Sequence, residues 1–158
     1  MEKSRNLPLG RTFPIRGKRI FVDSNYFIAF FNPTDSLHQK TQDIGKELDR
    51  KGIPLTLSNL IFLEVVTVIS QRRNKQIAGE VGEYLETNPL VEIIHVDEVL
   101  HQNTWEIFKS VQQKDVSFVD CSIIACMRFE GIHELLTFDK KDFTILKKGF
   151  PFSFYPII

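Results

Sequence analysis

The sequence predicts one α/β domain whose helices cover a central, largely parallel sheet, and three observations carry that prediction. Short apolar runs of strand length alternate with longer stretches at helical spacing from residue 19 to the C-terminus. Glycine and Asn-Pro punctuation falls between these runs rather than inside them. At 158 residues the chain is long enough to cover a sheet on both faces, and no repeat, low-complexity tract or linker divides it.

The apolar run 19–22 reads as a buried strand, followed by Asp23, Ser24 and Asn25 as a turn and by an apolar helix over 26–31. Asn32-Pro33 interrupts that helix, because a residue before proline is pushed out of the helical region. An amphipathic helix over 36–51 turns Leu37, Ile44 and Leu48 inward and stops at Gly52. A second strand over 53–57 leads into a helix over 60–72 that Ser58 or Asn59 can cap. Ile77, Val81, Tyr84 and Leu85, at helical spacing, predict another helix within 74–87, ended by Asn88-Pro89. Residues 90–96 are rich in β-formers and supply the third strand. Asp97 starts a helix to about residue 112 that holds Leu100, Trp105, Ile107 and Phe108. Asp115 and Ser117 precede an apolar helix over 118–129 that stops at Gly131. The fourth strand covers 134–137, a charged loop 138–143, and an edge strand falls within 152–157, where Pro156 suits an edge better than a centre.

Twenty basic and twenty acidic residues leave no net charge, which argues against a generally cationic nucleic-acid coat and against a polyacidic tail. Nucleic acid stays open as a substrate, since an acidic metal-lined cleft would consume negative charge and leave Lys and Arg to lie around it. Cys121 and Cys126 lack CxxC spacing, so neither a disulfide scaffold nor a zinc site is expected. Fourteen phenylalanines supply core bulk without crosslinks, which fits a reducing, cytoplasmic setting. Residues 1–18 carry Lys3, Arg5, Arg11, Arg16 and Lys18 with no apolar block of signal-peptide length, and read as a basic, poorly ordered extension before a domain over 19–158. No window approaches the roughly 18 apolar residues of a membrane span, so no membrane association is expected.

Four carboxylates stand where charge is out of place: Asp23 after the first strand, Glu64 and Asp120 inside apolar helical runs, Asp139 after the fourth strand. In open parallel sheets ligands bind beyond the carboxyl ends of the strands, where Asp23 and Asp139 are expected. Each acid also has a structural reading. Asp23 can be a helix cap or turn former, Glu64 can share a narrow exposed stripe with Thr67 and Gln71, and Asp120 can close a capping box begun by Ser117. If the four converge, two charges about 4 Å apart repel by roughly 4 kcal/mol at an effective dielectric near 20, and a divalent ion reverses the sign of that term. All-oxygen ligation favours Mg²⁺ or Mn²⁺, whereas His38, His95, His101 and His133 show no ligand spacing.

Taken in order, Phe21-Val22-Asp23-Ser24-Asn25, then Ser58 with Glu64 in the following helix, then Ser117-Phe118-Val119-Asp120-Cys121, and finally Leu136-Thr137-Phe138-Asp139-Lys140-Lys141-Asp142-Phe143 resemble the PIN domain family. These are metal-dependent ribonucleases that include the VapC toxins of bacterial and archaeal toxin–antitoxin pairs. The resemblance covers residues 19–158 and implies a three-layer α/β/α fold with a mostly parallel sheet of four or five strands. It further implies phosphodiester hydrolysis with Mg²⁺ or Mn²⁺ in an acidic pocket of Asp23, Glu64, Asp120 and Asp139. In that scheme Asp23, Asp120 and Asp139 hold metal, and Glu64 is either a ligand through water or a positioner of the attacking water. Asn25 or Ser24 and Ser117 support the pocket, and Asp142 is a supporting or simply solvated acid. Arg72, Arg73, Lys75, Lys140 and Lys141 are candidates for RNA phosphate contacts.

The partners implied are an RNA substrate, a cognate antitoxin and a second copy of the chain. A PIN-domain processing nuclease outside any toxin–antitoxin pair and a non-catalytic PIN-like binding or assembly module are the alternatives. A phosphatase of the haloacid dehalogenase type would need a second Asp two residues after Asp23, where this chain has Asn25.

Overall fold

A computed structural model of the chain describes residues 17–157, so the expected basic extension lies outside the described residues except for Gly17 and Lys18. The elements run β1 (Ile20–Val22), α1 (Ser24–Phe31), α2 (His38–Lys51), β2 (Leu55–Ser58), α3 (Asn59–Arg72), α4 (Lys75–Thr87), β3 (Val91–Ile94), α5 (Glu98–Ser110), α6 (Phe118–Glu130), β4 (Glu134–Leu136), α7 (Lys140–Leu146) and β5 (Ser153–Phe154).

All strand pairs are parallel, and the sheet order is β3-β2-β1-β4-β5. The chain therefore moves outward from β1 to β3, then returns past the centre to β4 and continues to β5. Parallel crossovers are right-handed, so reversing the direction of travel moves the later helices to the opposite face. Helices α1 to α4 pack among themselves on one side, and α5, α6 and α7 pack on the other. The three-layer α/β/α arrangement expected from the sequence is thus the observed one. The order reverses between β1 and β4, and the crevice beyond their carboxyl ends is the position where open sheets of this kind bind ligands.

Burial explains why these runs became these elements. Ile20, Phe21 and Val22 of β1 are fully buried, as a central strand covered on both faces requires. On α3 the buried residues Ile61, Val65 and Ile69 recur every fourth position and form one inward face. On α6 every residue from Cys121 to Met127 is buried, and the two cysteines are free thiols. Gly52 and Gly131 close α2 and α6 with φ of 61° and 65°, the left-handed conformation that side chains resist. Among the described residues no helix is long and apolar enough to cross a membrane.

Three local expectations change. Residues 140–146 form helix α7 rather than a charged loop, because Phe143 and Leu146, three apart, bury one side of an otherwise polar segment. Tyr84 is 42 % exposed, and the inward face of α4 is built from Ala78, Val81, Gly82 and Leu85. Small residues let α4 approach α3 closely: a Cβ at Gly82 would stand 3.3 Å from Phe62 Cζ. Leu37 is only half-buried and precedes α2 as its N-cap.

Candidate acidic active site

The site begins with the last hydrogen bond of the β1–β4 ladder. Asp23 N–H donates to Leu136 O at 3.0 Å, which fixes the residue directly beyond both strands. The Asp23 carboxylate is 6 % exposed and engaged on both oxygens. Oδ1 accepts from Ser24 N–H at 2.7 Å, so Asp23 is the N-cap of α1, as one sequence reading had it. Oδ2 accepts from Thr137 Oγ1 at 2.8 Å and from Asn25 Nδ2 at 3.2 Å.

Thr137 is the hub that the sequence did not single out. A hydroxyl has one proton to give and two lone pairs to accept with. Thr137 gives that proton to Asp23 and accepts from Asn25 Nδ2 at 3.2 Å and Asp139 N–H at 3.0 Å. Asn25 Oδ1 in turn accepts from Phe138 N–H at 3.3 Å, tying α1 to the segment after β4. In sequence Thr137 stood within the fourth matching segment with no role of its own, because a threonine ending an apolar strand reads as a β-former.

Asp120 enters from the other layer. Ser117 Oγ accepts from Asp120 N–H at 3.0 Å, and Asp120 Oδ2 accepts from Ser117 N–H at 2.8 Å, which is the reciprocal capping box at the start of α6. Glu64 lies half-buried on α3 between exposed Leu63 and buried Val65, and Thr67 and Gln71 on the same stripe are exposed. That is the exposed stripe the sequence offered as its structural reading, and from it the charge of Glu64 acts on Asp23.

Charge couples these acids. Burial pushes the Asp23 carboxyl up to about 6; the Thr137 and Ser24 hydrogen bonds oppose the rise, and the charges of Asp120 and Glu64 add to it. Burial also raises Asp120, against the pull of its Ser117 hydrogen bonds and with help from Asp139. Asp142, the third residue of α7, is raised by slight desolvation and then by Asp139 and Asp120, while Lys141 opposes. Asp139 itself is exposed and makes no capping bond with its side chain. The structure thus brings Asp23, Glu64, Asp120, Asp139 and Asp142 into one electrostatic neighbourhood.

No ion pair closes on that neighbourhood, although the charge of Lys141 acts on Asp142. Among the described residues none of the five acids has a Lys, Arg or His nitrogen within 4.0 Å. The opposite end of the sheet shows the contrast, since Glu92 and Glu130 there share Arg19 at 2.9 and 3.1 Å. Arg72 is committed to Asp35 at 3.5 Å, and as the eighth residue after Glu64 it lies about 12 Å farther along the α3 axis. Exposed Arg73 and Lys75 follow it around the α3–α4 corner. Lys140 and Lys141 begin α7 immediately after Asp139.

The donor set suits a hard divalent cation. Among the described residues no three His, Cys, Asp or Glu side chains stand together at metal-ligating spacing. Mg²⁺ needs only one or two carboxylates and keeps several waters, and the carboxylates of Asp23 and Asp120 are oxygen donors of that kind. The thiols of Cys121 and Cys126 are buried and pushed up by that burial to about 11 and about 12, which removes them as ligands or nucleophiles.

Comparison with known proteins places this geometry. The 23S rRNA-specific endonuclease VapC20 of Mycobacterium tuberculosis is 28% identical over 121 residues, covering 76% of this chain and 88% of that protein. The crystal structure of M. tuberculosis VapC20, described as a Sarcin-Ricin loop cleaving toxin, matches with a TM-score of 0.69 at 26% identity, over 79% of this chain and 93% of that one. FitAcB from Neisseria gonorrhoeae (TM-score 0.64, 19% identity, 87% and 97% coverage) shares the fold. So does a toxin–antitoxin complex from Klebsiella pneumoniae (TM-score 0.60, 16% identity, 85% and 94% coverage). The family model described as PIN domain matches residues 20–148, and with that match spanning most of its length the chain belongs to the PIN domain family.

Proposed function

We propose that the chain is a Mg²⁺- or Mn²⁺-dependent endoribonuclease, and that it is the toxin of a toxin–antitoxin pair acting in the cytoplasm. The observation that carries the reading is the set of three raised carboxylates, Asp23, Asp120 and Asp142, at the sheet's switch point, on which the charges of Glu64 and Asp139 also act and which no Lys, Arg or His pairs with among the described residues. Such a group is costly as a purely structural feature and is relieved by a bound divalent ion. A cation held there supplies Lewis acidity toward the scissile phosphate and lowers the pKa of water.

The protein's own residues do the rest. Asp23 and Asp120 are the principal cation holders, and Asp139 completes the acidic set. Thr137 and Asn25 hold the Asp23 carboxylate in one orientation, and Ser117 does the same for Asp120. Glu64 orients the attacking water and accepts its proton as the water oxygen bonds to phosphorus and the P–O bond to the departing ribose oxygen breaks. Asp142 adds negative charge at the rim. Arg72, Arg73 and Lys140 contact RNA phosphates away from the cut, and these contacts position the strand without reading its sequence.

Likeness to VapC20, whose name states 23S rRNA as its target, supports RNA as the substrate class. Likeness in fold to a chain from a toxin–antitoxin complex supports a protein antitoxin as partner; a second copy of the chain as the other partner is part of the same proposal. The test is incubation of purified chain with ribosomal RNA in Mn²⁺, Mg²⁺ or EDTA. Cleavage in either metal, absent in EDTA and in Asp23→Asn, is expected. Intact RNA under all conditions with wild-type chain would sink the reading.

A further inference from the structure

The corner between α7 and β5 carries an arrangement that the acids do not use. Lys140, next to Asp139, places its Nζ 5.7 Å from the centroid of the Phe154 ring on β5. Lys147, the C-cap of α7, reaches the same ring at 5.3 Å and the Phe152 ring at 5.5 Å. One aromatic ring therefore anchors two ammonium groups from opposite ends of one short helix. Neither lysine has a carboxylate oxygen within 4.0 Å among the described residues.

The rings beneath the lysines are packed in a row along β5. Phe152 is buried, Phe154 is half-buried, and the two rings meet edge to face at 5.4 Å. Phe150 extends the row to His133, at 6.5 Å from Phe152 and 5.1 Å from the imidazole. β5 itself is held by Ser153 N–H to His133 O and Tyr155 N–H to Leu135 O, both at 2.8 Å. Exposed Lys141 and Lys148 flank the pair, so residues 140–148 carry four lysines against the single acid Asp142.

We propose that Lys140 and Lys147, held over Phe154, form a bracket for the phosphates of single-stranded RNA on the α7–β5 side of the acidic site. The inference rests on the nuclease reading and adds to it the side on which the strand runs. A polyanion that brings one phosphate up to a cluster of acids must lay its neighbouring phosphates on cationic surface, and this basic strip begins one residue after Asp139. An ammonium resting on a ring face keeps its N–H groups available, and lysine binds phosphate as a point charge.

The experiment is fluorescence anisotropy of a labelled single-stranded RNA of about 12 nucleotides with the full chain in EDTA, between about 50 and 200 mM KCl. Lys140→Gln and Lys147→Gln are each expected to reduce the slope of log affinity against log salt by about 0.7, the value for one lost contact on a single strand. Lys46→Gln, on exposed α2 in the other helical layer, is expected to leave the slope unchanged. In a Phe154→Leu background the Lys147→Gln change should shrink, a coupling that a purely structural ring would not produce. If the wild-type chain binds this RNA and cuts RNA in Mn²⁺, yet neither lysine alters the slope, the bracket is overturned and the nuclease reading stands, even if the lysines capture an acidic protein segment instead. If the chain neither binds nor cuts RNA, the nuclease reading falls and takes the bracket with it.

Discussion

Asp23 concentrates the chemistry of the molecule in one carboxyl group. Its folded pKa of about 6 lies above the value near 3.9 of an unfolded chain, so the native state holds the extra proton between those limits. The contribution of this group to stability is therefore fully present below about pH 4 and is lost as pH rises through about 6. In EDTA, the stability of Asp23→Asn should gain on that of wild type between pH 4.5 and 7 by about 2 kcal/mol, read as a pH-dependent gap in melting temperature. A gap that stays constant with pH would contradict the burial argument. Thr137→Val keeps the shape and removes the hub, leaving Asp23 and Asp139 N–H without their hydroxyl partner. It should cost about 1–3 kcal/mol of stability and lower Mn²⁺ affinity or cleavage by roughly 10–100-fold, measured by calorimetry and initial rates.

Helix ends set where the acids stand. The capping box at the start of α6 does structural and electrostatic work together, since the bonds that begin the helix also aim Asp120. Ser117→Ala should cost about 1 kcal/mol, roughly 2–4 °C in melting temperature for a chain of this size, and weaken Mn²⁺ binding. Ser117→Thr should restore both, and a variant that lost stability with unchanged metal affinity would separate the two roles. A packing change in the other layer should behave differently. In Gly45→Ala on α2 the new Cβ would meet Phe30 Cε2 at 2.7 Å and the Tyr26 hydroxyl at 3.2 Å. The expected cost is about 1–3 kcal/mol with cleavage per folded molecule unchanged.

At the scale of the whole molecule, folding is what gathers the acids, so a cation that binds the gathered set should stabilise the fold. Mn²⁺ at about 100 times its dissociation constant adds about 2.7 kcal/mol, which a thermal scan against EDTA should record as a rise of several degrees. Asp23→Asn and Asp120→Asn should each abolish most of that rise. An equal rise in wild type and both variants would place the ion elsewhere.

Much of this was legible because it is local. Strand and helix order follow from hydrophobic periodicity, and the ends of α2 and α6 from Gly52 and Gly131, since each depends on a few neighbouring residues. The series Asp23, Glu64, Asp120 and Asp139 could be picked out because charge inside apolar runs is conspicuous at any fold. Helix α7 could not, because Phe143 and Leu146 are too few to show periodicity until α6 gives them something to bury against. The same holds for Thr137 as partner of Asp23, for the Arg72–Asp35 pair and for the lysines over Phe154. By itself the sequence determined the α/β order and which acids are anomalous. Only the tertiary structure decided which of them feel one another and what holds each in place, because hydrogen bonds and Coulomb interactions depend on distances that the chain acquires when β1 and β4 come side by side.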